Sequence, residues 1–578
     1  MSLLDKASLI ITPNAYKESK LYSVIPSNGD GDMTVVRATT ATRVNEAGLI
    51  EVVPKNLLTY SEEFDNASWV KDGVSLTTNA TISPNGTTTA DLITESATLG
   101  SHRVYKIISI FGNGSFSFFV KSNGVQWIAI AAGNTSSFGV YSFFDIINGT
   151  LGVSTIGTSK IEDYGNGWYR CSVNGIGNGG GTSGNIYLAE SNGVNSYTGN
   201  GVDGIYIWGA QLEAGSTATS YFPTTDRLNI PRIDYTGGGC PSILVEPQRT
   251  NLLTYSEDFS QSSWSKVRVN VTSQSLLNPK GELSVNKIES NNSAESFIER
   301  LINFTSSTSQ VFSYFAKKGN ANFTHITFYD GVSNGCRQWF DLENGVLGTS
   351  TSFGSGITIG GANIEDFGNG WCKVSVTSST PSITSLTSRI NISETNGVTA
   401  SAVGSYIYTT MAQFEIGSYL TSYIPTVASS VTRNADVISK TGISDLIGVD
   451  QGTFVFDIKS YFQDPGVGQF NWAFLEDGIK RLNFYDAGVY TTINGSFQFI
   501  TALPNGLIPF KVVYRWNTSF ISIFINGVKI IDFAKTATFN PTVFAPTSQS
   551  TISKQVYNKI IGFNTSLTDT ECINLTTL

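Results

Sequence analysis

Histidine is nearly absent. The chain of 578 residues has two, His102 and His325, far apart in the sequence. A His/Cys zinc site or a Ser–His–Asp hydrolase is therefore poorly supplied, and both residues read as surface or strand histidines. Cysteine is scarce as well. Cys171, Cys240, Cys336, Cys372 and Cys572 are odd in number and show no CxxC spacing. That argues against a disulfide framework and for reduced, mostly buried thiols in a protein folded in a cytoplasm. Charged residues are only 14% of the chain, too few for a self-repelling disordered polymer. The net charge is −9 and no Lys/Arg cluster occurs, which argues against nucleic acid as a partner. No apolar run approaches the ~20 residues that span a membrane; runs such as Ile521–Ile525 are strand-sized. Met1–Thr12 has a short apolar run, an Asp5 in its flank and no small-residue cleavage pattern, so it does not read as a signal peptide. No P-loop, GxSxG or HExxH motif appears, nor any heptad run. Asp30–Gly31–Asp32 lacks the distal Glu of a calcium loop and reads as a turn. No cofactor and no metal is implied.

What is present is apolar residues at 40%, aromatics at 12% and 57 glycines without a three-residue period. That suffices for several cores and excludes collagen. At about 100–200 residues per domain the length predicts roughly three to five. The strongest signal is an internal repeat. Asn56–Lys71 (NLLTYSEEFDNASWVK) and Asn251–Lys266 (NLLTYSEDFSQSSWSK) agree at 11 of 16 positions, 195 residues apart. The match continues in order. FSFFVK at Phe116 answers FSYFAK at Phe312, and FFDIINGTLG at Phe143 answers WFDLENGVLG at Trp339. IEDYGNGWYRCSV at Ile161 answers IEDFGNGWCKVSV at Ile364. YIWGAQLEAGSTATSYFPT at Tyr206 answers YIYTTMAQFEIGSYLTSYIPT at Tyr406.

Each copy reads as all-β. Asn148–Gly149, Asn344–Gly345 and Asn526–Gly527 sit between apolar runs and predict type I′ hairpins, because Asn-Gly accepts positive φ. Turn signals recur roughly every 8–12 residues without long amphipathic helices, which predicts sandwiches. The expected architecture is a multi-domain chain of tandem jelly-roll sandwiches. It comprises a small N-terminal segment (1–55), repeat 1 (56–226), a connector (227–250), repeat 2 (251–432) and a third sandwich (433–578). Residues 1–55 are too few to bury a core alone and are expected to pack on something else. In the connector, Glu246 and Arg249 form a candidate exposed ion pair, worth ~0.2–1 kcal/mol. Near the C-terminus, Thr568 with Glu571 fits a capping box opening one short helix.

Chemistry-bearing candidates are few. In the strands opening at Trp168 and Trp371, alternation puts each Trp on the more polar face, opposite Cys171/Val173 and Cys372/Val374. There an indole can stack on a sugar or cover a sheet edge. Trp69 and Trp264 read as core plugs. In the tail, Trp472, Tyr485, Tyr490 and Trp516 are further candidates for glycan contact. A glycosidase needs two carboxyls about 5–10 Å apart. Glu162/Asp163 and Glu365/Asp366 are adjacent strand residues before a Gly-Asn-Gly turn, where an acid is ordinary turn chemistry; Asp477 with Asp486 is the remaining pair.

The run TRVNEAGLIE (Thr42–Glu51), the connector PRIDYTGGGCPSILVEPQRTNLLTYSEDF (Pro231–Phe259), the GNGW turns and YIWGAQLE…SYFPT together resemble modular head or tail fibres of tailed bacteriophages infecting Bacteroidetes. The resemblance covers nearly the whole chain. It implies carbohydrate-binding-module-like jelly rolls and a concanavalin A-like (laminin-G-like) tail, echoed in IGFNTSLTDTECINL. It also implies a small N-terminal virion anchor, a homotrimer, capsid or tail proteins as partners through residues 1–55, and a non-enzymatic fibre that meets host surface polysaccharide or receptor. Linked copies add avidity, about 10²–10⁴-fold, when they engage together. One departure stands out: TRVNEAGLIE, expected beside PRIDY, is separated from it by repeat 1, which therefore reads as an insertion or duplication. Rival readings are a structural or decorating fibre without a ligand, a capsule depolymerase, and a bacterial surface adhesin, against which the missing export signal counts.

Overall fold

The computed structural model describes residues 3–577 apart from 18, 38, 54–55, 109–113, 135–140, 177–181, 215–216, 220, 226–228, 464–471, 477–480, 486–487, 494–495, 503–508, 535–540, 542 and 545–552. The fold is all-β with several sandwiches, as expected. Among the described residues no helix is long and apolar enough to cross a membrane. The chain divides into two compact units, Val52–Leu228 and a discontinuous unit of Met1–Glu51 with Asn229–Leu578. Repeat 1 is thus an insertion within a body whose two parts flank it in sequence.

Repeat 1 is a jelly roll. Its first sheet has the strands Val74–Thr81, Ala90–Glu95, Gly114–Asn123, Thr158–Gly165, Trp168–Ile176 and Gly204–Ala214. Its second sheet includes Leu99–Ile108, Trp127–Asn134, Ser142–Asp145, Thr150–Ser154 and Thr182–Ala189. The core between them takes one side chain in two from each strand, as the pleat dictates: Phe116, Phe118 and Val120; Ile128 and Ile130; Cys171 and Val173; Ile186 and Leu188. Repeat 2 builds the same core from Phe312, Tyr314, Ile326, Phe328, Cys372 and Val374. In repeat 2, single strands of 22 and 23 residues, Phe297–Lys318 and Trp371–Ser393, serve both sheets.

The repeated motif residues are explained by a buried polar clasp. Asn56 Nδ2 donates to the carbonyls of Ala210 (3.0 Å) and Phe222 (2.8 Å), and its Oδ1 accepts from the amides of Leu58 (3.1 Å) and Leu212 (3.2 Å). Asn251 does the same with Ala412, Ile424, Leu253 and Phe414. Each Asn meets all its hydrogen-bonding demands by tying the start of the module to its closing strand. Trp69 and Trp264 are core plugs, donating through the indole to Tyr60 O (2.9 Å) and Tyr255 O (3.1 Å).

The turns divide into two kinds. Asn526 and Gly527 both have positive φ (46° and 80°), as a type I′ turn requires. At Asn148–Gly149 and Asn344–Gly345 only the glycine is left-handed (66° in each). There the Asp145 and Asp341 carboxylates accept two backbone amides each, and Gly149 and Gly345 bond back to Asp145 O and Asp341 O at 2.9 Å. An Asp-capped loop replaces the expected two-residue turn. The capping box holds: Thr568 and Glu571 bond reciprocally and open the helix Asp569–Thr576.

Residues 1–55 were expected to lean on another element, and their first three strands are built into the third sandwich, while Ala41–Val44 and Ile50–Val53 pair with each other and Ile50 packs on repeat 2. Leu9–Lys17 pairs with Ser553–Phe563 (Leu9 with Gly562, Ile11 with Ile560), and Met33–Val36 pairs with Val437–Thr441. The connector strand Ser242–Val245 joins the same partner through Ile243 and Tyr557. One core collects Leu9, Leu21 and Met33 from the N-terminus, Ile243 from the connector, and Phe454, Tyr514 and Trp516 from the tail. The segment is therefore not a separate appendage.

Where these parts converge lies a buried charge cluster. Arg232 donates to Glu246 (2.8 Å) and to Asp436; Arg37 reaches Asp436 at 2.5 Å and Arg433 reaches Glu246 at 2.7 Å. All five side chains are buried. The exposed Glu246–Arg249 pair expected from sequence is replaced by this arrangement, because the connector strand turns Glu246 inward, while the Arg249 guanidinium lies 5.0 Å from the centre of the Tyr419 ring. The TRVNEAGLIE segment is also brought to PRIDY: Val44 N donates to Asp234 (2.8 Å), Tyr235 N to Val44 O (3.0 Å) and Arg232 to Thr42 O (3.2 Å).

Candidate functional site

The tryptophans singled out by sequence are buried. Trp168 packs with Ala90, Phe119 and Trp208 on the outer face of the first sheet, and its indole donates to Ile82 O at 3.2 Å. Trp371 packs with Phe315, Met411, Tyr423 and Ile50, donating to Leu277 O at 3.0 Å. Trp516 lies in the core of the third sandwich, where Gly452 packs against its ring. None of these three rings offers a face to a ligand; each Trp that follows a tight turn covers its sheet, and the sugar-stacking expectation for them is corrected. Trp472, Tyr485 and Tyr490 fall in the strands Trp472–Glu476, Arg481–Tyr485 and Gly488–Ile493, with side chains outside the described residues. Asp477 and Asp486 also lie outside them. The other acidic pairs serve turns and surface: Asp163 and Asp366 accept the amides of Gly165 (2.7 Å) and Gly368 (2.8 Å), and Glu162 pairs with Lys160. Among the described residues, no group of three or more His, Cys, Asp or Glu is placed to hold a metal ion.

An aromatic platform missed in the sequence lies on the outer face of the second sheet of repeat 1. In WIAIAAGN the isoleucines enter the core while Trp127, Ala129 and Ala131 face outward. The neighbouring strands bring Phe143 and Tyr187 beside Ala129, and Arg103 beside Tyr187. Small alanines leave room over the sheet for the neighbouring rings. Tyr141 meets Tyr187 edge-on at 5.5 Å. The Arg103 guanidinium lies over Tyr105 (4.6 Å) and Tyr187 (5.4 Å), donates to the Tyr187 hydroxyl at 2.7 Å and pairs with Asp72 at 3.0 Å. Burial pushes the Tyr187 hydroxyl up despite the Arg103 charge, so it stays protonated at neutral pH. Trp127, Tyr105, Tyr141 and Arg103 remain partly exposed. Flat apolar rings with a fixed cation and hydroxyls match a sugar, which has an apolar C–H face and a polar rim. The detectable signal was the alternation itself: Trp-x-Ala-x-Ala, Tyr-x-Ala and Tyr-x-Phe on three adjacent strands.

No protein-family model and no curated protein matches the chain. Solved structures show weak likeness. One is the tandem CBM22-1–CBM22-2 domain of Paenibacillus barcinonensis Xyn10C, at 13% identity over 63% of this chain and 98% of that one, with a TM-score of 0.18. Another is domain 4 of the Geobacillus stearothermophilus arabinanase AbnA in complex with arabinotriose, at 12% identity over 28% and 82%, TM-score 0.21. A third is the LG1–3 region of the laminin α2 chain, at 7% identity over 81% and 96%, TM-score 0.14.

Proposed function

We propose that the chain is a non-enzymatic fibre of a tailed-phage virion that binds host surface glycan through its jelly-roll repeats. The observation that carries the binding reading is the partly exposed platform in which Trp127 and Tyr141 pack with Ala129, Ala131 and Tyr187, and Arg103 lies between Tyr187 and Tyr105. The fibre reading rests on the sequence resemblance. Because residues 9–36 and the tail share one sandwich, particle attachment is assigned to that sandwich and glycan recognition to the repeats. The tail aromatics Trp472, Tyr485 and Tyr490 form a second set for test.

The experiment is a host-polysaccharide array and cell-adsorption assay with the full chain, beside Trp127→Ala/Tyr105→Ala. Binding reduced tenfold or more, about 1.4 kcal/mol or more, with unchanged thermal unfolding, supports the platform. No binding by the wild-type chain at millimolar glycan favours a fibre that only spaces or decorates the particle. Antibody labelling of the assembled particle tests the virion location.

A further inference from the structure

The second repeat carries the same sheet face with different chemistry. The two Asp residues of the FFDIINGTLG and WFDLENGVLG motifs, Asp145 and Asp341, set the register. Asp145 lies opposite Trp127 and Asp341 opposite Phe323. His325 therefore stands where repeat 1 has Ala129, Trp339 where it has Phe143, Asn391 where it has Tyr187, and Arg337 where it has Tyr141. Repeat 1 folds the same sheet with alanine and aromatics, so the fold alone does not require polar groups there.

Those groups are also short of partners. His325 is fully buried and stacked on Trp339 at 4.6 Å, and neither ring nitrogen has a hydrogen-bond partner. Glu295 Oε1 lacks one too, lying 3.8 Å from His325 Nε2 and 3.7 Å from Arg337 Nη2. Arg337 Nε and Asn391 Oδ1 are likewise unpartnered. An unmet buried polar atom costs about 1–3 kcal/mol, and gaps just beyond bonding distance are where a bridging oxygen sits. Acceptors (Glu295 Oε1, Asn391 Oδ1) and a donor (Arg337 Nε) share one sheet face with an imidazole that burial holds neutral by lowering its pKa. A neutral imidazole donates from one nitrogen and accepts at the other. A hydroxyl does both and satisfies such a mixed set. Burial pushes the Glu295 carboxyl up, but the adjacent His325 and the Arg337 and Arg389 charges outweigh it, so it stays ionised and offers an acceptor to a hydroxyl.

We propose that Glu295, His325, Arg337 and Asn391 form a second binding site on repeat 2, which takes hydroxyl groups of a neutral saccharide. This rests on the glycan-binding reading above, and the two repeats then differ in ligand: an aromatic platform on one, a polar site on the other.

The test is titration calorimetry on the full chain with methyl glucoside, methyl galactoside, methyl mannoside and glucuronate as probes. It is run on wild type and on Trp127→Ala/Tyr105→Ala, which leaves repeat 2 to be read alone. Expected is residual binding of at least one neutral glycoside in that background, with glucuronate bound no more tightly, and a loss of tenfold or more on adding Glu295→Gln, with Asn391→Ala in agreement. Glu295→Gln preserves shape, so it decides the matter should Asn391→Ala unfold. Residual binding unaffected by Glu295→Gln means a water fills the unpartnered atoms and overturns the site. Wild-type binding without residual binding in the background overturns the site and leaves the glycan reading standing. No wild-type binding at all removes both.

Discussion

Replacing Glu246 by Gln should destabilise one unit of the chain and leave the other untouched. The Glu246 carboxylate is buried and takes hydrogen bonds from Arg232 (2.8 Å), Arg433 (2.7 Å), Ser422 N (2.9 Å) and Ser422 Oγ (2.7 Å), with Lys554 at 3.2 Å. Glutamine keeps the shape but removes the charge, leaving Arg37 and Arg232 on Asp436, and Arg433 with the charges of Asp436 and Glu415. Two charges ~4 Å apart at an effective dielectric of 20 interact by about 4 kcal/mol, and breaking a buried pair costs about 3–5 kcal/mol. With a urea slope of about 3 kcal/mol per M, the midpoint falls by about 1–2 M. Hydrogen exchange by mass spectrometry locates the loss: faster exchange in peptides covering 37–50, 231–246 and 431–437, and unchanged protection in 114–123 and 204–214. A midpoint shift below about 0.3 M, or equal loosening of both units, refutes the clamp. The wild type carries the same signature in pH. Burial pushes Glu246 up, but Arg433, Arg232 and Lys554 hold it well below the ordinary range, and Asp436 is lowered by Arg232 and Arg37 against the same burial. Carboxyls lowered in the folded state contribute stability above their unfolded pKa of about 4 and lose it as pH falls toward the folded value. The unit should therefore weaken below about pH 4, and Glu246→Gln should flatten that dependence.

Two further outcomes test the architecture. Asn56→Ala removes four buried hydrogen bonds and leaves the carbonyls of Ala210 and Phe222 and the amides of Leu58 and Leu212 to find other partners; it should cost about 2–4 kcal/mol, read by urea denaturation as a shift confined to the transition of the Val52–Leu228 unit. Exchanging residues 52–228 for a flexible Gly/Ser linker should leave a chain that still unfolds cooperatively with the Glu246 clamp protected from exchange, because Arg232, Ser422, Arg433 and Lys554, which hold Glu246, lie outside the excised segment.

Local chemistry was legible in the sequence, and coverage was not. The duplicated cores, the Thr568 capping box and the Asn526–Gly527 turn depend on neighbours within a few residues or on a pleat of period two, and each appears as read. Asn148–Gly149 misled because Asp145, three residues before Asn148, caps a longer loop. The expectation for Trp168 and Trp371 identified the strand face but not what covers it, which is decided by distant residues such as Ile82, Leu277 and, through Ile50, the N-terminal segment. The same holds for Glu246. Its partners come from positions 232, 422, 433 and 554, and no local pattern signals a strand-end glutamate that turns inward.

The two repeats act as internal controls for each other, and this separates structural from functional residues without any other sequence. The Asn56/Asn251 clasp, the indole plugs Trp69/Trp264 and the Gly-Asn-Gly turns are the same in both copies and do the same work, so they belong to folding. The outer face of the second sheet differs at nearly every outward position: Ala129, Tyr141, Phe143 and Tyr187 are answered by His325, Arg337, Trp339 and Asn391. Neutral drift on an exposed face tends toward small or charged residues in solvent. It does not account for an ordered aromatic array around Arg103 in one copy, nor for a fully buried, unpartnered histidine in the other, since each is costly to keep without an occupant. Under the proposed reading these faces are two binding surfaces on one scaffold, and they turn on Ala129/His325 and Tyr187/Asn391. A reciprocal exchange of those residues should therefore move ligand preference between repeats without altering the Asn56 and Asn251 clasps.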